Sequence, residues 1–133
     1  MTKQSQGFTL IELVIVMGIV ALLASLATVF YGDNVTRANR TEARSSLTQT
    51  AGSLEKCKGM HGTYDSLNCN VTFPIATESN LYSITGVVAS STFLLTATPV
   101  AGQRQAGDLD CTTLTLSNTG LKAATGADTA VCW

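Results

Sequence analysis

Residues 3–30 read KQSQGFTLIELVIVMGIVALLASLATVF, and this stretch decides the architecture of the chain. A polar leader ends at Gly7, and about 23 mostly apolar residues follow, among which Glu12 carries the only charge. A helix of about 23 residues is roughly 34 Å long, which is enough to cross the hydrocarbon core of a bilayer. We therefore predict that residues 8–30 form a transmembrane helix.

The position of Gly7 separates this segment from an ordinary secretory signal. A signal peptide carries its cleavage site beyond the apolar core, so that the core is removed with it. Here the small residue precedes the apolar run. Cleavage after Gly7 would remove residues 1–7 as a leader and would leave Phe8 at the start of a mature chain that keeps its hydrophobic helix.

Residues 7–12, GFTLIE, resemble the processing site of the type IV pilin family. The resemblance implies cleavage after Gly7 by a prepilin peptidase and N-methylation of Phe8. It also implies a single span of the lipid bilayer of the inner membrane before assembly, and then a place in an extracellular pilus on the bacterial cell surface. The implied partners are other pilin subunits in a helical filament and the inner-membrane pilus assembly machinery.

Glu12 is the unusual residue of the apolar helix. A carboxylate within the hydrocarbon is costly unless it is partnered, so an acid at this place indicates a function. The resemblance implies that its partner is the amino group of Phe8 on a neighbouring subunit, and that this pairing sets the axial register during assembly. The alternative is that Glu12 lies close enough to the end of the helix for its carboxylate to reach water.

Residues 31–133 are predicted to form one globular head with a modest core, since 45% of the whole chain is hydrophobic and 13% is charged. Helical periodicity continues through residues 31–58, which predicts an amphipathic helix ending near Gly59. Residues 59–80 are rich in turn formers and are predicted to be a loop. The predicted buried positions of the helix are Val35, Ala38, Ala43, Leu47, Ala51, Leu54 and Cys57.

Three runs rich in β-branched and aromatic residues predict strands at 81–88, 92–98 and 112–116. Residues 89–91 predict a hairpin turn between the first two runs, and Pro99 opens an irregular connection to the third. Together they predict a small antiparallel sheet within residues 81–116. The predicted fold class is α+β. A long N-terminal helix, transmembrane in its first half, packs on a small antiparallel sheet, as the resemblance to the type IV pilin fold also implies.

The four cysteines allow three disulfide connectivities. A head delivered outside the cytoplasm favours two disulfides. We predict Cys57 with Cys69 and Cys111 with Cys132, because each pair closes a short loop beside a predicted element. The second bond would bound a C-terminal region, 111–132, and the ending CTTLTLSNTGLKAATGADTAVCW, like the segment VTRANRTEAR, resembles minor pilins of the PilE type.

Three arginines, Arg37, Arg40 and Arg44, fall on one stripe of the predicted amphipathic helix. Such a stripe is usually a solvated face. The alternative is that the stripe meets phosphate or acidic groups of neighbouring subunits, and of these subunit packing is favoured.

The sequence predicts no catalytic site, cofactor or metal site. A phosphate-binding glycine loop and a paired acid and base are both missing from the sequence, and His61 is the only histidine. The net charge of −1 favours no particular partner.

The favoured function is therefore that of a structural subunit of a type IV pilus. More specifically, we expect a minor pilin that takes part in pilus assembly or initiation and supports adhesion and twitching motility. The alternatives are a major pilin, a pseudopilin of a type II secretion system, and a competence pilin that binds DNA for uptake. DNA is possible but not favoured, because beyond the helix the head offers only Arg104 and Lys122 as basic residues.

Overall fold

The computed structural model describes residues 7–133, without side-chain detail for residues 28–30. Residues 1–6, which make up most of the predicted leader, lie outside the described residues. The chain divides into two compact units, Met1–Val35 and Thr36–Trp133. Helix α1 (Leu10–His61) contributes residues to both units.

Helix α1 begins at Leu10 because Thr9 caps it. The Thr9 hydroxyl oxygen accepts a hydrogen bond from the backbone N–H of Glu12 at 3.3 Å, and the Thr9 carbonyl accepts one from Leu13 at 3.2 Å. Threonine is among the favoured residues at this position, since its side chain satisfies an N–H group that has no partner in the helix. The acidic Glu12 in the first turn also complements the positive end of the helix dipole.

The C-terminal end of α1 lies slightly beyond the predicted one. The helix runs to His61, whereas the sequence predicted an end near Gly59. Gly62 has a φ of 80°, and its N–H donates to the Lys58 carbonyl at 2.7 Å. A glycine in the left-handed conformation is a common helix terminator, so the terminating glycine is Gly62, and Gly59 remains inside the helix.

The sheet is a five-stranded antiparallel meander in which every strand lies beside its neighbour in sequence. Strand β2 pairs with β3 from Tyr82 opposite Pro99 to Val88 opposite Phe93. The turn between them is closed by a hydrogen bond from Ala89 N–H to the Thr92 carbonyl at 2.9 Å. The strands are β1 (Ile75–Ala76), β2 (Tyr82–Val88), β3 (Phe93–Pro99), β4 (Thr113–Ser117) and β5 (Lys122–Thr125).

The predicted sheet, 81–116, contains the three central strands but not the two edges. Strand β1 lies in the segment predicted as loop, and β5 lies in the C-terminal disulfide-bounded region. Strand β1 has two residues, and β5 reads KAAT, with two alanines and a lysine that have weak strand preference. These edges form by pairing with β2 and β4, which a local pattern does not reveal.

The core of the head lies between the second part of α1 and one face of the sheet. Alternate residues of the central strands point inward, as expected for a sheet with one buried face. Ala43, Leu47, Leu54 and Cys57 of the predicted helix face are buried, whereas Ala38 is exposed. The strand residues of the core are Tyr82, Ile84, Phe93, Leu95, Ala97, Leu114 and Leu116.

Candidate functional site

The N-terminal end of α1 carries the residues of the predicted processing and assembly site. Gly7 precedes the helix, and the Phe8 side chain is 84% exposed. Glu12 lies in the first turn, where its side chain is also exposed. Cleavage after Gly7 would therefore place a new amino group less than two turns of helix from Glu12 in the same chain.

The apolar side chains that follow form an exposed surface around the helix. An 18-residue window of α1 has a mean hydropathy of 2.7, and none of it is buried. By length and composition this helix is sufficient to cross a membrane. A helix that is hydrophobic on all sides requires an apolar environment, which a bilayer or a bundle of similar helices supplies. Its most exposed members are Leu10, Ile11, Met17, Leu22 and Leu23.

A buried ion pair joins α1 to the C-terminal region of the head. The Arg40 guanidinium donates from Nε and Nη2 to the two carboxylate oxygens of Asp108, both at 2.7 Å. Arg40 Nη1 also donates to the Val131 carbonyl at 3.4 Å. Asp108 and Val131 lie shortly before Cys111 and Cys132, so one arginine holds both ends of the disulfide-bounded loop.

The partners of this ion pair are themselves hydrogen bonded. Gln105 donates to Asp108 at 2.8 Å and accepts from Asn39 at 3.0 Å. The Asp108 hydrogen bond raises the pKa of Arg40. Burial alone would raise the pKa of Asp108, but the hydrogen bond and charge of Arg40 outweigh it, so that the pKa of Asp108 is lowered. Both groups are therefore charged at neutral pH.

The three arginines of the predicted stripe differ in their exposure to solvent. Arg37 is exposed, Arg40 is buried, and Arg44 is partly buried. The prediction of a solvated stripe is wrong for Arg40, since its partner comes from the same chain. Asp108 is 68 residues away in sequence, and no local pattern joins the two.

A second link joins the helix to the loop before β2. The Glu42 carboxylate accepts hydrogen bonds from the Ser79 N–H at 2.8 Å and from the Ser79 hydroxyl at 2.7 Å. These bonds lower the pKa of Glu42. The next residue, Asn80, has a φ of 57°, so Glu42 holds a turn that adopts an uncommon conformation.

The four cysteines are joined in the predicted pairs. Cys57, near the end of α1, is bonded to Cys69 in the following loop. Cys111 and Cys132 bound the C-terminal region that contains β5. The two bonds tie the least regular parts of the head to its helix and its sheet.

No group of three or more histidine, cysteine, aspartate or glutamate side chains among the described residues is arranged to hold a metal ion. His61 lies exposed in the last turn of α1. The described residues thus comprise an exposed apolar helical segment and a head that two disulfides and a buried ion pair stabilise.

Comparisons with known proteins agree with this architecture. Residues 2–28 match the prokaryotic N-terminal methylation motif. Residues 30–115 match the family model described as "Type IV minor pilin ComP, DNA uptake sequence receptor". The chain therefore belongs to the type IV pilin family, and within it to the minor pilins that the ComP family model describes. Its relatives are structural subunits, and the chain is not an enzyme.

Two curated relatives come from Dichelobacter nodosus. A probable minor fimbrial protein is 35% identical over 81 residues, which are 61% of this chain and 51% of the relative. The type IV major fimbrial protein FimA is 32% identical over 91 residues, 68% of this chain and 54% of the relative. The chain thus spans about half the length of the curated relatives that it matches.

The fold also has a counterpart among solved structures. The non-core minor pilin PilV of Neisseria meningitidis superimposes with a TM-score of 0.54 at 21% identity. The match covers 71% of this chain and 91% of the PilV chain. This likeness confirms the fold class, a long N-terminal helix with an antiparallel sheet.

Proposed function

We propose that the protein is a minor pilin that takes part in the assembly or initiation of a type IV pilus and supports adhesion and twitching motility. The observation that carries this proposal is the exposed apolar helix that begins at Leu10, three residues after Gly7. Such a surface is stable in the inner membrane and can also pack among the helices of other subunits. Transfer from the bilayer to a filament therefore exchanges one apolar environment for another.

Each residue at the N-terminal end has a role in this mechanism. A prepilin peptidase cleaves after Gly7, and the new amino group on Phe8 is then methylated. In the filament this amino group neutralises the Glu12 carboxylate of a neighbouring subunit, because a charge within the apolar bundle is stable only when it is paired. The assembly machinery of the inner membrane supplies subunits to the base, and the head becomes the outer surface of the pilus.

The experiment compares sheared surface filaments from cells that carry the wild-type chain, a deletion, or Glu12→Val. A minor pilin is a trace component of the filaments, and its deletion lowers fibre number sharply. Glu12→Val should insert in the membrane but should be nearly absent from filaments. Asp65→Asn, which changes an exposed acid of the head, is the matched control and should be incorporated normally.

Three results would contradict the proposal. If the chain is the bulk protein of the filaments, it is the major subunit. If filaments form in normal number without it, it has no part in initiation. If Glu12→Val is incorporated as well as the wild type, the carboxylate is not the group that guides assembly.

We propose capture of DNA as a second function, and the match of residues 30–115 to the ComP family supports it. The members of that family are described as DNA uptake sequence receptors. A pilus that carries such a subunit presents a DNA-binding head on the cell surface. The test is the binding of fluorescent oligonucleotides to the purified full chain in nonionic detergent, over a range of salt concentrations. Binding that weakens with salt is expected, and the absence of binding at low salt would overturn this second function.

A further inference from the structure

An open groove of about 370 Å³ lies beside α1 in the head. Arg44 and Gln49 line it from the helix, and Lys122 and Trp133 line it from the C-terminal region. Among the described residues, no acidic side chain lines this groove. Its lining therefore combines two positive charges with one large aromatic ring.

The Trp133 ring is held in place by its surroundings. Its indole N–H donates to the Ala123 carbonyl at 2.7 Å, and the ring is partly buried against the hydrophobic core. The Lys122 ammonium lies 5.1 Å from the ring centroid, within the range of a cation–π contact. A ring fixed in this way loses little conformational freedom when a ligand stacks on its exposed part.

Arg44 supplies one of the two positive charges of this groove. Its Nε is buried and makes no hydrogen bond to the described residues. Among the described residues Arg44 has no carboxylate partner of the kind that holds Arg40, so its charge is available to a ligand that enters the groove. The guanidinium is suited to phosphate, which it binds through paired N–H groups.

We propose that this groove, which we call the Trp133 groove, binds a strand of nucleic acid. A phosphate lies between Arg44 and Lys122, and a base at a strand end or in a single-stranded stretch stacks on Trp133. Aromatic rings within a positively charged groove are the usual means by which proteins hold single strands. This inference rests on the proposed capture of DNA and assigns it a site. Lys122 and Trp133 lie beyond residues 30–115, so the match to the ComP family does not include them.

The test uses the fact that Trp133 is the only tryptophan of the chain. The full chain in nonionic detergent is titrated with a labelled single-stranded oligonucleotide and with a duplex of the same sequence. Anisotropy of the label reports binding anywhere on the protein, and tryptophan fluorescence reports stacking in the Trp133 groove. We expect both signals to saturate together, with tighter binding of the single strand.

Three variants and a control locate the phosphate. Arg44→Gln and Lys122→Gln should each weaken binding about tenfold and lower the slope of log affinity against log salt by about 1. Lys122→Arg should restore most of the affinity, because it keeps the positive charge. Arg104→Gln removes the same charge from an exposed residue outside the groove, and it should leave the affinity unchanged.

The outcomes separate this inference from the function on which it rests. If anisotropy shows binding but Trp133 fluorescence does not change, the DNA binds elsewhere on the protein. That result would overturn the assignment of the site to the Trp133 groove and would leave the proposed capture of DNA intact. Equal losses from Arg104→Gln and Lys122→Gln would do the same. Quenching by polyglutamate as strong as that by DNA would make the groove a site for acidic peptides. The absence of any binding would remove DNA capture itself.

Discussion

The two parts of helix α1 have opposite relations to solvent, although the helix is one continuous element. In the first compact unit the apolar side chains of residues 10–27 are exposed, and Leu22 is 64% accessible. In the second unit the buried apolar side chains of the helix lie on one stripe, and Leu47 is fully buried. The first part therefore depends on a membrane or on other subunits, whereas the second is stabilised within its own chain.

The largest loss of head stability that leaves the first part of α1 unchanged is expected from removing the charge of Arg40. Arg40→Ala leaves the Asp108 carboxylate buried without its partner, which should lower the free energy of unfolding of the head by about 3–5 kcal/mol. Urea unfolding of the full chain in detergent, followed by circular dichroism, measures the loss. Asp110→Asn is the control, since Asp110 is 55% exposed and 3.6 Å from Arg40, and it should cost less than about 1 kcal/mol. Equal losses of unfolding free energy in the two variants would mean that the buried ion pair stabilises the head no more than the exposed one.

Two leucines on the same helix test the comparison directly. Leu47→Ala opens a cavity in the core and should cost about 2–5 kcal/mol of head stability. Leu22→Ala removes the same atoms from an exposed position of the first unit and should leave head stability unchanged. Thermal unfolding of both variants in detergent makes the measurement. A similar loss in both would contradict the separation of the two parts.

Two glycines extend the contrast to the sheet. A Cβ atom at Gly86 of β2 would lie 2.5–2.9 Å from three atoms of the Phe73 ring, so Gly86→Ala should destabilise the head by about 1–3 kcal/mol. A Cβ atom at Gly52 of α1 would meet nothing within 4 Å, so Gly52→Ala should stabilise it by about 0.5–1 kcal/mol. Opposite shifts in melting temperature are expected. Shifts of the same sign would contradict one of these two expectations.

The smallest expected effect concerns the link between Glu42 and Ser79. Because the pKa of Glu42 is lowered in the folded head, its contribution is present above the pKa of the unfolded chain, about 4.3, and is lost as pH falls through the folded pKa. The lowered pKa of Asp108 acts in the same direction. Glu42→Gln should therefore cost at most about 1 kcal/mol at neutral pH and less in acid. Unfolding at a series of pH values checks this, and a loss that grows towards acid pH would contradict it.

The sequence predicts well what is repeated locally. The unbroken apolar run, the helical spacing from Ala43 to Cys57 and the alternating strands are all visible without a structure, and they suffice for the fold class. Strand β5 was missed because its alanines have weak strand preference. The ion pair of Arg40 and Asp108 was missed because nothing local joins residues so far apart. The Trp133 groove needs the same long-range information, since Arg44, Lys122 and Trp133 meet only after folding.

The contacts of Arg40 also have a mechanical meaning. Tension applied along α1 from its N-terminal end would reach Arg40 before it reaches the buried Leu47 and Leu54. From there it passes to Asp108, three residues before the loop that the Cys111–Cys132 bond closes, and to Val131 at the far end of that loop. Because the Cys111–Cys132 bond closes this loop, a pull on Val131 does not draw out the residues between the two cysteines.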